Sequence, residues 1–217
     1  MLLLHGGCWL SAYGVDHVAG IAESLRQAGF AVFAAEYRRV SEDGAGMPGT
    51  FADVRAAYDS LRALATRHSL DTSRVIVMGH SAGGQLALWL ASEPDVRVRA
   101  VVALAAVTDL AAFAAPSGCG SAVPRLMGGA RDSNDEQSIA RYAVASPVTR
   151  AGPPPGTRVL MVTADDDRVV PRAQVEAYLA RFPTAQTLRV PGGHFDLVAP
   201  WTPAWVRVLA MMAELSR

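Results

Sequence analysis

Residues 79–83 read GHSAG, a serine flanked by glycines, between an apolar run and a stretch of helical period. A serine in that context lies on a tight strand-to-helix turn, where a side chain on either flanking glycine would clash. The turn lifts the hydroxyl of Ser81 above the carboxyl end of the strand, and the helix N-terminus favours developing negative charge. The pattern predicts a serine nucleophile. The alternative is a glycine-bounded turn in which Ser81 only caps the helix.

A serine hydroxyl becomes nucleophilic only when a base removes its proton, and a carboxylate usually orients that base. His194 follows the last apolar run and precedes the last helical stretch, within residues 191–195 that read PGGHF. The loop after the preceding apolar run carries three consecutive acids, Asp165, Asp166 and Asp167. Adjacent loop side chains point in different directions, so we expect only one of them to reach the imidazole. Metal binding is the competing interpretation, but consecutive acids lack the alternation of a calcium loop.

A glycine-rich turn also follows the first apolar run, where residues 5–9 read HGGCW. Backbone N–H groups of such a turn can approach the negatively charged oxygen of a tetrahedral intermediate without obstruction. We expect the amides of Gly7, Cys8 and Ala82 to be these oxyanion donors. The thiol of Cys8 is an alternative nucleophile, but no cysteine-protease pattern surrounds it.

The elements that must position these side chains alternate along the chain. Short apolar runs and stretches of helical period follow one another, which is typical of βα units and of a parallel sheet covered on both faces. The predicted strands cover residues 1–4, 30–37, 75–78, 100–104, 159–163 and 186–190. The predicted helices cover residues 16–28, 51–68, 82–92, 172–181 and 202–216. Residues 109–156 break this rhythm, so we predict one α/β domain, 1–217, with a lid-like insertion there.

Composition limits the classes of function. The 217 residues are 51% hydrophobic and 18% charged, which predicts a folded core rather than a disordered chain. Twenty basic residues balance twenty acidic ones, so no excess of positive charge favours nucleic acid as a partner. The N-terminus has neither the basic region of a signal peptide nor the length of a membrane span. Two cysteines cannot form a disulfide framework, and we interpret them as free thiols in the cytoplasm.

Taken together, the motifs resemble an α/β-hydrolase of the esterase branch. The HGGCW loop is similar to the HGGxW oxyanion loop of kynurenine formamidase and of feruloyl-esterase-like hydrolases. The likeness covers almost the whole chain. Its other segments are EYRR at 36–39, GHSAGG at 79–84, TDL at 108–110, DDDRVVP at 165–171 and GGHFDLVAP at 192–200.

The resemblance implies a catalytic triad in the chain order Ser81, Asp167 and His194. The family pattern D-x-x-V-P selects Asp167, which stands four residues before Pro171, and leaves Asp166 as the second choice. It further implies acyl transfer from a small-molecule ester or aryl amide, without a metal or organic cofactor. Two other functions stay open: a non-catalytic ligand-binding protein on the same scaffold, and a peptidase related to the catalytic domain of prolyl oligopeptidase.

The chain departs from the family at its beginning. Family members carry an antiparallel strand pair before the strand that ends in HGG, whereas Met1 already lies inside that strand. We therefore expect residues 30–37 to form an exposed edge of the sheet. Such an edge is open to further strand pairing, including with a second copy of the chain as a homodimer.

The other residues able to do chemistry are given structural interpretations. His5 is predicted to brace the oxyanion loop, and His80 to pack against neighbouring loops. Trp9 either lines the pocket or packs under the insertion. Solvated helix surfaces are predicted for His17, His68, Asp53 and Arg55.

Overall fold

A computed structural model describes residues 1–215. Its sheet has six strands, and every pairing between them is parallel. The strands are β1 (Leu2–Leu4), β2 (Phe33–Ala35), β3 (Ile76–His80), β4 (Ala100–Leu104), β5 (Arg158–Ala164) and β6 (Gln186–Val190). The helices are α1 (Ala19–Gln27), α2 (Gly49–Arg67), α3 (Ala82–Ala91), α4 (Leu110–Phe113), α5 (Val123–Leu126), α6 (Glu136–Ala145), α7 (Ala173–Arg181) and α8 (Pro203–Leu215). The predicted α/β class is confirmed.

The central strands β1, β3 and β4 are buried on both faces, because successive residues alternate between two apolar layers. Leu2 and Leu4 face the layer that contains apolar residues of α2, α3 and α7. Leu3 faces the opposite layer, which contains residues of α1 and α8. Because apolar layers cover both faces of these strands, the strands read as continuous apolar runs in the sequence.

The strand order places the chemistry-bearing loops together. The order is β2-β1-β3-β4-β5-β6, so the chain reverses its direction of winding between β1 and β3. In a parallel sheet, the loops at the carboxyl ends of strands beside such a reversal diverge and leave a crevice. The HGGCW loop follows β1 and Ser81 follows β3, and Leu4 pairs with Gly79 in the register of these strands. The two loops are therefore neighbours.

The second strand lies at an edge of the described sheet, as predicted, but it is shorter than residues 30–37. It pairs only with β1 and covers Phe33–Ala35. Tyr37 lies beyond the end of the strand and is buried, and its hydroxyl donates to the carbonyl oxygen of His5 at 2.8 Å. The register of this strand is thus coupled to the loop after β1.

Residues 109–156 carry three short helices, α4, α5 and α6. Their apolar side chains belong to the same core layer as α2 and α3, among them Leu110, Phe113, Leu126 and Tyr142. The segment therefore packs on the body of the fold, and its role as a lid stays a prediction. Within residues 1–215, no helix has both the length and the apolar character needed to cross a membrane.

Candidate active site

The turn between β3 and α3 holds Ser81 in a strained backbone conformation. Its φ of 54° and ψ of −116° lie in a region that non-glycine residues rarely adopt, and the residue is 2% exposed. A Cβ on Gly79 would collide with the carbonyl of Gly83, and one on Gly83 with the carbonyl of His5. Both flanking glycines are therefore required sterically, as the sequence predicts. The N–H of Ser81 donates to Leu104 at 2.7 Å and ties the turn to β4.

The structure brings His194 and Asp167 together at the same end of the sheet. The imidazole Nδ1 lies 2.8 Å from the Asp167 Oδ2, and the two side chains are 4% and 8% exposed. The Asp167 Oδ1 accepts the N–H groups of Val169 at 2.8 Å and Val170 at 2.9 Å. Burial raises the pKa of Asp167, but hydrogen bonds from His194 and Val170 outweigh it, so the net pKa shift is downward. A charged Asp167 holds the proton of His194 on Nδ1 and leaves Nε2 as the basic atom.

The three adjacent aspartates diverge, as expected for neighbouring loop positions. Asp165 forms an ion pair with Arg189, and Asp166 is exposed to solvent. Only Asp167 of the three reaches the imidazole. The geometry thus separates Asp167 from Asp166, the second choice at the sequence level.

His80, the residue that precedes Ser81, packs against His194. The ring centroids of His80 and His194 are 4.5 Å apart, and the His80 Nε2 lies 3.0 Å from the His194 carbonyl oxygen. Within residues 1–215, neither the Ser81 hydroxyl nor the His194 Nε2 makes a hydrogen bond to another residue. Hydrogen bonds between a catalytic serine and its histidine are often long without substrate and shorten when it binds.

The HGGCW loop exposes backbone amides without acceptors. Gly7, Cys8 and Trp9 have consecutive positive φ values of 109°, 55° and 57°, which turn the chain sharply after β1. In the part of the chain that the structure describes, the N–H groups of Gly7 and Cys8 have no protein acceptor. Ala82 is the first residue of α3, so its N–H lacks an intrahelical partner as well. These three amides are the predicted oxyanion donors.

His5 braces this loop, as predicted. Its buried ring stacks on Tyr37 with centroids 4.3 Å apart, and its Nδ1 donates to the carbonyl oxygen of Gly6 at 2.7 Å. Tyr37 of the EYRR segment also holds the loop, because its hydroxyl donates to the His5 carbonyl oxygen at 2.8 Å. The Glu36 Oε2 lies 3.2 Å from the His5 Nε2, and Arg38 forms a bidentate ion pair with Asp53. The prediction of a simply solvated helix face for Asp53 is therefore wrong, because Arg38 binds its carboxylate.

Trp9 packs under the insertion rather than lining a pocket. Its side chain is fully buried and lies edge-on to Phe113, with ring centroids 6.5 Å apart. The indole N–H donates to the buried side chain of Gln85 at 3.1 Å, and Gln85 donates to the carbonyl oxygen of Ala145 at 2.8 Å. Gln85 thus connects the oxyanion loop, α3 and α6, a role that no local sequence signal marks.

The prediction of free thiols is wrong, because Cys8 and Cys119 form a disulfide. Their Cα atoms are 5.1 Å apart although 111 residues separate them in sequence. The bond joins the oxyanion loop to the insertion, and only the tertiary fold brings the two cysteines together. It excludes Cys8 as a free thiol nucleophile and removes the observation on which we based a reducing compartment.

Breaking this disulfide should lower the stability of the folded protein. We expect the double variant Cys8→Ser with Cys119→Ser to lose about 2 to 4 kcal/mol of unfolding free energy, because the bond restricts the unfolded chain. Urea unfolding of the oxidised protein, the reduced protein and the double variant measures this loss. Equal unfolding free energies in all three would contradict a bond in the folded protein.

The prediction for His17 is wrong. We predicted a solvated helix surface, but the residue lies half-buried in a 3₁₀ turn, Val15–Val18, before α1. Its Nε2 lies 3.0 Å from the His80 Nδ1, and the two rings stack with centroids 5.1 Å apart.

Phe195 lies edge-on to His194 at 5.2 Å between centroids and is 58% exposed, so it borders the opening of the site.

The buried histidines predict loss of stability in mild acid. Burial is the main cause that lowers the pKa of His5, His17 and His80 below the ordinary value of about 6.5. The unfolded chain therefore binds more protons below that pH, and the unfolding free energy falls as the pH falls. Fully buried His5 and His80 each contribute at most about 1.4 kcal/mol per pH unit, and half-buried His17 less, since solvent screens its charge.

Urea unfolding at about pH 7 and about pH 5 tests this dependence. His17→Gln should reduce the pH dependence, whereas His68→Gln should preserve it because His68 is exposed at the end of α2. A pH dependence that His17→Gln leaves unchanged would show that the half-buried imidazole does not contribute.

The fold and the arrangement of these loops define an α/β-hydrolase fold, which the chain shares with solved esterases. One is a truncated form of a carbohydrate esterase from gut microbiota (TM-score 0.78, 24% identity, 99% of this chain and 85% of that chain). Others are carboxyl esterase 2 from the mycorrhizal fungus Tuber melanosporum (0.76, 22%, 99% and 76%) and an arylesterase (0.75, 20%, 100% and 76%). A search of curated proteins found no match. The BD-FAE family model matches residues 1–181, and the chain belongs to that family.

Proposed function

We propose that the protein is a serine hydrolase that cleaves small carboxylic esters through an acyl-enzyme. The observation that carries this proposal is the buried Asp167–His194 hydrogen bond at 2.8 Å, beside the strained turn of Ser81. A buried carboxylate–imidazole pair next to a serine on such a turn matches the roles of nucleophile, base and orienting acid.

In the first half-reaction, the Ser81 Oγ attacks the carbonyl carbon of the ester while the His194 Nε2 takes its proton. The carbonyl oxygen becomes an oxyanion, and the amides of Gly7, Cys8 and Ala82 donate to it. The tetrahedral intermediate collapses, the bond to the alcohol breaks, and the alcohol leaves with the proton from His194. The acyl group is then an ester of Ser81.

In the second half-reaction, the His194 Nε2 removes a proton from water, and the hydroxide attacks the acyl carbon. The second tetrahedral intermediate releases the carboxylic acid, and the proton on His194 returns to Ser81. Asp167 stays charged throughout and stabilises the imidazolium that forms in each half-reaction. Its lowered pKa fits that role.

The choice of esters is supported by the solved structures of similar fold, whose names are those of esterases. The HGGCW loop also resembles that of kynurenine formamidase, so aryl formamides are the second substrate class to test. A non-catalytic ligand-binding protein would not need the Asp167–His194 pair, and its presence favours an enzyme.

Turnover of p-nitrophenyl acetate and of N-formylkynurenine by the purified protein tests the proposal. We expect hydrolysis of the ester, and hydrolysis of the formamide only if the pocket also accepts an aryl amide. No turnover of either substrate by folded protein would contradict the proposed function. Cleavage of a peptide bond without ester hydrolysis would favour the peptidase alternative.

A further inference from the structure

A chain of hydrogen bonds reaches the backbone carbonyl of His194, whereas Asp167 binds its imidazole. The His17 Nε2 lies 3.0 Å from the His80 Nδ1, and the His80 Nε2 lies 3.0 Å from the His194 carbonyl oxygen. Four of the five histidines of the protein, His5, His17, His80 and His194, thus lie close to the proposed site. The two proposed half-reactions assign no role to His17 or His80.

The direction of these hydrogen bonds follows from the last acceptor. A carbonyl oxygen can only accept, so the His80 Nε2 carries a proton and donates to His194. In a neutral imidazole the other nitrogen is then an acceptor, so the His17 Nε2 must carry a proton and donate to His80. His80 is completely buried, and burial holds its pKa well below the ordinary value. The neutral form required by this direction is thus the stable one.

His80 also touches the other two parts of the site. It is the last residue of β3 and precedes Ser81 directly. A Cβ on Gly6 would lie 2.7 Å from the His80 Nδ1, so the oxyanion loop packs closely against the same ring. His80 therefore links three parts of the site. It belongs to the strand that precedes Ser81, its ring packs against the oxyanion loop, and its Nε2 contacts the backbone of His194.

We propose that His80 is a positioning residue that holds the imidazole of His194 where it can reach the Ser81 hydroxyl. His17 orients the His80 ring through the Nε2–H of His17. This inference rests on the proposed function. His80 makes no hydrogen bond to a reacting atom: its ring packs against that of His194, and its Nε2–H fixes the main chain of His194. Asp167 fixes the ring of His194, whereas His80 fixes the segment that carries it.

Two substitutions of similar size separate positioning from simple packing. Glutamine at position 80 keeps an N–H donor near the place of Nε2, whereas methionine fills similar space without a donor. We expect His80→Met to lower kcat about tenfold to a hundredfold with little change in KM, because a displacement of about 1 Å costs that much. His80→Gln should recover most of the loss. Equal kcat values in His80→Met and His80→Gln would overturn the proposal.

A comparison of the same kind can be made at His17, which lies outside the buried strand β3. His17→Gln retains a donor toward His80, and His17→Leu removes it from a half-buried position. We expect His17→Leu to lower kcat severalfold and His17→Gln to lower it less. His68→Gln, on the exposed end of α2, should match the wild type. If His17→Leu matched the His68→Gln control, His17 would have no orienting role.

Nuclear magnetic resonance of protein labelled with ¹⁵N-histidine tests the chain without any turnover. We expect His80 to carry its proton on Nε2 and to give an exchange-protected N–H resonance that disappears in His80→Gln. A proton on the Nδ1 of His80 would overturn the proposal, since Nε2 could not then donate to His194. If the wild type hydrolysed no ester while this resonance was present, the proposed function would fail but the hydrogen-bond chain would stand.

Discussion

Replacing Ser81 with alanine should abolish nearly all ester hydrolysis, with a decrease in kcat of about 10⁶-fold. Alanine retains the Cβ and therefore the strained backbone of the turn, but it lacks the oxygen that attacks the carbonyl carbon. The flanking glycines and the hydrogen bond from the Ser81 N–H to Leu104 are unaffected. We therefore expect the fold and substrate binding to persist while turnover is lost.

Steady-state kinetics with p-nitrophenyl acetate, together with thermal unfolding of both proteins, measures this effect. A Ser81→Ala protein that is folded and still hydrolyses the ester at a rate near the wild type would contradict the assignment of the nucleophile. Loss of turnover together with loss of the folded state would instead show that the serine is needed for the turn itself. The unfolding curve distinguishes these outcomes.

The second largest effect is expected for Asp167→Asn, with a decrease in kcat of about 10⁴-fold. Asparagine can still accept N–H groups from Val169 and Val170 through its carbonyl oxygen. Its NH₂ group then faces the imidazole, so Nδ1 must act as the acceptor and the proton moves to Nε2. In that tautomer His194 cannot take the serine proton, and no negative charge stabilises the imidazolium.

Asp166→Asn provides a matched control for that variant. Asp166 is adjacent in sequence, has the same chemistry and is exposed to solvent. We expect its kcat to stay close to the wild-type value. Equal losses in the two variants would indicate a general effect of the three acids on the charge of the loop. A loss confined to Asp166→Asn would transfer the role of orienting acid to that residue.

The sequence predicted the bounds of two strands correctly. Residues 100–104 match the fully buried strand β4 at both ends, and residues 186–190 match the edge strand β6. The prediction was poorest at β2, where the apolar run 30–37 forms only three residues of strand. The strand ends before Tyr37, whose hydroxyl donates to the carbonyl oxygen of His5. Local hydrophobicity does not encode a contact between residues so far apart in sequence.

The same distinction holds for the site. Ser81, Asp167 and His194 could be proposed because each stands in a short motif at the end of a strand, and their chain order limits the alternatives. The Cys8–Cys119 disulfide and the contact of His17 with His80 could not, because 111 and 63 residues separate the partners. No local pattern marks such pairs, and the helical period around His17 indicated a solvated surface.

Labelling with a fluorophosphonate, followed by mass mapping of the peptides, tests the central claim most directly. Such a reagent reacts covalently with a serine only when a neighbouring base activates the hydroxyl. We predict one adduct, on the peptide that contains Ser81, and none in the Ser81→Ala protein. An adduct on another residue, or labelling that persists in Ser81→Ala, would contradict the account.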